Sequence, residues 1–255
     1  MNDKNVKQNI TKLWNQAYID YDECYAHGLK SDNEKKEWLS FLSEAVGKKP
    51  LKILDVGAGT GFVSLLLAEL GHICKGLDLS EKMLSRAKEK AAKAGFKNVE
   101  FDIGDAEDTK EPTESYDVVV NRHLVWTLPH PEKAIREWKR VLKPGGRLII
   151  MEGNWHYNRI TDRIQVFFGK CLITLMEHRN AFSNDGDYDK QTKQELPMLK
   201  SKNAKRLSEM VENAGFAVTV IPMRDVDRAE KKAMPLRYRL LNPHRRIAVI
   251  GKKVS

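Results

Sequence analysis

Residues 51–61, LKILDVGAGTG, place three glycines on alternate positions, Gly57, Gly59 and Gly61, at the end of a short apolar run of Leu51, Ile53, Leu54 and Val56. The pattern predicts a buried strand feeding a tight turn. A residue without Cβ can take positive φ and let a ligand touch the main chain, and the helix expected from Phe62 to Leu70 offers unpaired N–H groups at its start. With Ala58 between the glycines, the stretch reads as a cradle. Its G-x-G-x-G spacing differs from the dinucleotide fingerprint G-x-G-x-x-G. Asp55, two residues before the first glycine, would face like charge across a pyrophosphate, so a ligand with cationic groups and no phosphate suits it better. A second carboxylate, Asp78, followed by Leu79, ends the next apolar run, Ile73 to Leu77. It falls about twenty residues past the glycines, where a strand-end acid accepts hydrogen bonds from ribose hydroxyls.

Three further motifs follow in order: GDAED at 104–108, YDVVVNRHLVWTL at 116–128 and EWKRVLKPGGRLII at 137–150. With the glycine loop they resemble the class I S-adenosylmethionine-dependent methyltransferases over about residues 50–152. S-adenosylmethionine carries an ammonium, a sulfonium and no phosphate, which is what Asp55 asks of a ligand. The resemblance implies that Asp105 bonds the adenine amino group, that the main chain of Ala106 reads a ring nitrogen, and that Asn121 belongs to the cofactor-binding rim. It also implies an N-terminal helical segment folded over the cofactor, with Tyr18 or Tyr21 closing the pocket. The alternative for both tyrosines is a packing role in that segment, the role expected of Trp14 and Trp38.

The reaction so implied is methyl transfer from S-adenosylmethionine to a small molecule. The sulfonium already activates the methyl group, so alignment and exclusion of water can suffice without a strong base. Where a base is used, His123 and then His156 are the candidates, both just beyond strand ends and both able to titrate near neutrality. Arg122, Trp126, Glu152, Trp155 and Tyr157 are candidates for the acceptor pocket, Arg122 being suited to a carboxylate or phosphate. No metal-ligand spacing is present. Two other functions stay open: methylation of RNA or protein, and binding of the cofactor without catalysis.

The formal net charge of +9 invites a nucleic-acid partner, and the basic excess is densest at 231–246, KKAMPLRYRLLNPHRR. Elsewhere Glu and Lys alternate at helix-pair spacing, as in Glu81 to Lys93, and solvate a face. Aromatic interleaving of the kind a nucleic-acid groove needs is thin, so a small-molecule partner is preferred. No run is long and uncharged enough to span a bilayer and the N-terminus has no apolar leader core; a cytoplasmic protein without a membrane partner, monomer or homodimer, is expected. Cys24, Cys74 and Cys171 form no C-x-x-C pair and read as reduced, mostly buried thiols.

These residues demand a sheet whose strand ends share one rim. Strands are expected at 51–56, 73–77, 99–103, 117–120, 148–151, 217–221 and 247–250, forming an α/β, Rossmann-like, doubly wound seven-stranded sheet. The sheet should be mostly parallel with an antiparallel last strand, because residues 225–244 are too basic and proline-broken for a regular crossover helix. A helix from the N-cap Ser80 to Gly95 and one from Pro131 flank it. One domain spans 1–255: an N-terminal helical lid (1–49), the cofactor core (50–152), a cap insertion (153–203) and the C-terminal part of the sheet (204–255). In the insertion, Ile164, Phe167, Phe168, Cys171, Leu172 and Leu175 stripe one side of a helix expected at 162–179, a lid or dimer face. The loop SNDGDYDKQTKQ at 183–194 looks too polar to pack.

Overall fold

The computed structural model describes residues 3–154, 160–182, 188–200, 204–243 and 245–254. Two helices precede the sheet, α1 (Asp3–Ala17) and α2 (Asp32–Val46), with a short 3-10 turn, Tyr21–Glu23, between them. The core then alternates β1 (Lys52–Val56), α3 (Phe62–Glu69), β2 (Ile73–Asp78), α4 (Glu81–Ala94), β3 (Val99–Ile103) and β4 (Tyr116–Arg122). A 3-10 turn, Val125–Thr127, leads into α5 (Pro131–Val141) and β5 (Leu142–Asn154). The insertion holds α6 (Ile160–Glu177), α7 (Lys190–Gln194) and α8 (Pro197–Lys200). The chain finishes with α9 (Ala204–Asn213), β6 (Phe216–Pro222), α10 (Arg224–Ala233), α11 (Leu236–Leu241) and β7 (Arg245–Lys253).

The seven strands run in the order β3-β2-β1-β4-β5-β7-β6. Strands β1 to β5 pair in parallel, and β7 enters antiparallel between β5 and β6. The expected antiparallel last strand is therefore present, and its approach is broken at Pro235 between α10 and α11. Strand direction of winding reverses between β1 and β4, the crevice where ligands of such sheets bind.

Adjacent residues on the central strands serve opposite layers. Leu54, Val119, Leu148 and Ile150 pack with Trp138, Val141, Leu207 and Val211, whereas Ile53, Val118, Ile149 and Met151 pack with Trp38, Leu42 and Leu67. Burial on both faces explains why these strands read as continuous apolar runs. Helix α4 starts and stops as its sequence predicts: Ser80 Oγ accepts from the Met83 N–H, and Gly95 closes it at φ +72°.

Three expectations are corrected. Strand β5 begins at Leu142, not 148, because Tyr116 pairs with Leu142 before the register slips to Val118 with Arg147. Cys24 is exposed, Cys74 alone of the thiols being buried. In the polar loop, 183–187 lie outside the described residues, but Tyr188 and Thr192 beyond them are buried against α1. Their polar groups are met locally: Asp189 accepts from the Gln191 and Thr192 amides, and Trp14 Nε1 donates to the Tyr188 hydroxyl at 3.0 Å.

Trp138 is fully buried and its Nε1 donates to the Ala106 carbonyl at 3.0 Å, tying α5 to the loop after β3. Urea denaturation should show Trp138→Ala losing about 3–5 kcal/mol of stability. Trp138→Phe, which keeps the ring but drops the donor, should lose about 1–3 kcal/mol. No loss in Trp138→Phe would mean that the hydrogen bond adds nothing.

Candidate active site

The cleft lies at the carboxyl ends of β1, β2 and β4 and is roofed by α1. Its walls include Gly57, Gly59, Asp78, Leu79, Asp105, Ala106, Arg122 and His123, with Lys7, Thr11, Trp14 and Tyr21 above. Gly57 has φ +71°, and a Cβ there would lie 2.7 Å from Leu124 Cδ1; Gly59 has φ +55° and open space where its Cβ would be. The first glycine thus allows a close packing contact and the second leaves the main chain bare toward the cleft.

Asp78 is the most engaged group on the floor. Its Oδ2 accepts from the Gly59 N–H at 2.9 Å and its Oδ1 from the Ser80 N–H at 2.8 Å. Burial raises its pKa, opposed by those amide bonds. The amides of Gly57 and Ala58 both go to the Leu77 carbonyl.

Asp55 differs from its expected place. It is 2% exposed, lies beneath the glycine loop and accepts from both the amide and hydroxyl of Ser64. Desolvation lifts it to about 6. Its role there is to hold the first turn of α3, and it is not part of the cleft wall. Ala58 and Gly61 also stay behind the wall: Ala58 is core, and a Cβ on Gly61 would lie 3.0 Å from Ala87 and Phe101.

The roof is pinned by polar contacts that cross long stretches of sequence. Lys7 Nζ reaches Asp105 Oδ2 at 2.6 Å and the buried Glu107 at 2.8 Å. Asn15 Oδ1 accepts from the Ser80 hydroxyl at 2.7 Å. Asp22 takes the Thr60 hydroxyl at 2.6 Å and pairs with Lys90 at 2.8 Å. Tyr21 faces the cleft, edge-on to Trp14, with its hydroxyl pushed up to about 12 by burial. Tyr18 stays out of the cleft, under Lys82.

Arg122 lines the cleft, but its guanidinium lies 3.8 Å above the Phe62 ring, and Nη2 donates to the carbonyls of Ala26 and His27 at 2.6 and 3.1 Å. Burial lowers its pKa to about 10. It therefore holds the returning lid segment. Asn121 is fully buried beside it, on the opposite face of β4 and outside the cleft wall.

His123 stands at the rim with φ +57°, a strained backbone for a side-chain-bearing residue. Its Nδ1 is 3.8 Å from Glu152 Oε2, while Glu152 Oε1 accepts from the Val125 N–H at 3.0 Å. The His27 ring lies 6.1 Å from that of His123 and 4.5 Å from Tyr21, kept neutral by burial that drops its pKa to about 3. Glu152 and Trp126 back the wall without lining it; Trp126 packs against Trp14 and Tyr188. Trp155, His156 and Tyr157 lie outside the described residues.

Sequence reasoning missed Lys7, Thr11, Met83, Leu128 and Pro129 on the wall and read Trp14 as core. Thr127-Leu128-Pro129, at the end of the fourth-strand motif, carried a readable turn signal; Lys7, one lysine in a lysine-rich helix, carried none.

Residues 47–222 match the family model described as a methyltransferase domain. The chain belongs to the class I S-adenosylmethionine-dependent methyltransferases. It is 26% identical to the ubiquinone/menaquinone biosynthesis C-methyltransferase UbiE of Pseudomonas fluorescens over 82% of this chain and 81% of that one. It is 34% identical to the uncharacterized methyltransferase YcgJ of Bacillus subtilis over 42% of this chain, a match spanning 41% of that protein's length. Phosphoethanolamine N-methyltransferase 2 of Haemonchus contortus, solved with phosphomonomethylethanolamine and S-adenosylhomocysteine, superposes with a TM-score of 0.68 at 17% identity. That likeness covers 98% of this chain and 61% of the other. The cofactor of this methyltransferase is S-adenosylmethionine, and the cleft fits it: a bare glycine main chain, a carboxylate at the tip of β2 and an apolar slot between Leu79, Met83 and Leu128.

If Asp78 accepts from the cofactor ribose as a carboxylate, its pKa, raised above 3.8 by burial, predicts that cofactor affinity weakens as pH falls from neutrality, starting earlier than for an ordinary aspartate. Calorimetry with S-adenosylhomocysteine should show that slope, and Asp78→Asn should flatten it while lowering affinity at neutral pH by about tenfold, the loss of one charge-assisted bond. A variant with wild-type affinity and slope would remove Asp78 from the site.

Proposed function

We propose that the chain methylates a small molecule whose nucleophilic atom enters the cleft beside His123. The observation that carries this is the roof. Helix α1, the Tyr21 turn and the segment Val125 to Pro129 close over the glycine loop and leave a concave cleft lined by apolar side chains with a few convergent polar groups, the form usual for small-ligand sites. The relatives point the same way, since their names attach C-methylation in quinone biosynthesis and N-methylation of a phosphoethanolamine to this fold.

S-adenosylmethionine, when bound, supplies a methyl group already activated on a sulfonium. Gly57 and Gly59 then offer main-chain contact, Asp78 accepts from the ribose, and Asp105 with the Ala106 main chain meets the adenine edge, Lys7 sharing Asp105 from above. Thr11, Trp14 and Tyr21 keep water out. His123 takes the acceptor's proton on Nε2, its Nδ1 being turned toward Glu152, and Arg122 keeps the lid segment in register. Alignment supplies most of the rate.

A methyl-transfer screen over a metabolite library, read by release of S-adenosylhomocysteine, tests the acceptor class. With the acceptor found, His123→Ala should lower kcat by about 10²-fold or more and leave cofactor affinity unchanged. Full activity of that variant would leave proximity as the whole mechanism; activity confined to RNA or protein acceptors would overturn the small-molecule reading.

A further inference from the structure

Helix α6 has two faces of unlike character, and the wrong one is outside. Its inner face, Gly169, Ile173 and Glu177, meets α11: a Cβ on Gly169 would lie 3.0 Å from the Arg237 carbonyl and from Leu240, and Glu177 accepts from Arg237 Nε at 2.6 Å and the Tyr238 hydroxyl at 2.8 Å. Its outer face repeats Ile160, Ile164, Phe167, Phe168 and Leu175 at helical spacing, each about half to three-quarters exposed. Phe182 extends the patch, its ring 5.9 Å from Phe167, and Leu236 of α11 adds another exposed apolar side chain. Among the described residues nothing covers this face, and contiguous apolar surface on that scale marks an interaction site.

Charge decides between partners. Arg163 and Lys170 on α6 and Arg239 on α11 have no carboxylate within ion-pair range among the described residues, and Lys170 lies over the Phe182 ring. Glu177 is already paired to Arg179 and Arg237, which leaves Asp162 as the other acid of α6. Behind this face α11 carries Arg237 and Arg239 and no acid, Arg237 being paired to Glu177. A second copy docking here would set basic residues against basic residues. An anionic lipid surface matches both features, because an apolar stripe flanked by Lys and Arg lies in the headgroup layer without crossing it.

We propose that α6, with the basic segment behind it, is a docking surface that places this methyltransferase on anionic membranes. The inference goes beyond the methyl-transfer reading and does not rest on the identity of the acceptor. It also revises the sequence expectation of no membrane partner. That expectation followed from the lack of a span, and indeed no described helix is long and apolar enough to cross a membrane; a helix lying in the interface escapes such a search.

Flotation of the full chain with vesicles of phosphatidylcholine alone, or mixed with phosphatidylglycerol, tests it at low and high salt. Binding should be about tenfold stronger to the anionic vesicles and should weaken with salt. Phe167→Ser with Phe168→Ser should reduce it at least about tenfold. Arg163→Glu with Lys170→Glu should remove the preference for anionic lipid. Both pairs are at the surface, and binding of S-adenosylhomocysteine by each variant confirms that it is folded. Absence of flotation with anionic vesicles at low salt would overturn the proposal, as would flotation untouched by the two serines. So would a dimer in sedimentation that the serine pair dissolves while vesicles bind neither form, since a second copy would then be the occupant.

Discussion

A desolvated carboxylate at the tip of β2 must be satisfied by main-chain amides, and the way Asp78 meets that demand organises the cleft. One oxygen holds Gly59, in the turn after β1, and the other holds Ser80, the N-cap of α4. Two chain reversals on neighbouring strands are thereby locked to one group. An acid buried without such donors would stay protonated or stay in water. Gly59 can answer because it takes positive φ with nothing near its missing side chain, and the same bareness lets a ligand come to the main chain. The bond that builds the turn and the site that binds the cofactor are therefore parts of one arrangement.

Around that floor the roof is held by ion pairs and hydrogen bonds as well as by the apolar packing of Val6 and Ile10. Lys7 bridges Asp105 and Glu107, Asp22 bridges Thr60 and Lys90, and two arginines, the half-buried Arg122 and the buried Arg246, reach the Ala26 carbonyl from opposite sides of the sequence. Arg246 is anchored in turn by Asp227 and Glu230 on α10. Contacts of this kind exchange readily for water when they open and re-form with definite geometry, which suits a cover that must admit ligands and then exclude solvent. They also connect the Ala26 segment to the last strand through Arg246.

How much of this could be read from the chain alone depends on the range of the interaction. Apolar runs ending in glycine, aspartate or asparagine announced β1, β2 and β4, and local capping announced α4, because burial of central strands and N-cap geometry leave short-range marks. The same logic located Gly57, Gly59 and Asp78. It misplaced Asp55, whose neighbourhood in sequence is the glycine loop but whose partner is Ser64 beneath it; it put Arg122 at the cleft, where the side chain lies, without its bonds to the Ala26 and His27 carbonyls. Lys7, Asp22 and Tyr188 were unreadable for a plainer reason: each acts on residues tens to hundreds of positions away, and nothing in a lysine's or aspartate's own surroundings says where the fold will bring it. The stripe on α6 was legible as a stripe, but period alone does not say which side a helix turns inward.

The central claim is that a cofactor cleft is closed from above by the N-terminal segment through contacts to the glycine loop and to Asp105. Hydrogen exchange across residues 3–28 and 55–61, with and without S-adenosylhomocysteine, tests it most directly. Ligand should slow exchange in both stretches together, at α1 and the Tyr21 turn as much as at the loop. Protection confined to the loop, with residues 3–28 unchanged, would contradict it and leave α1 a neighbour of the site without a part in it.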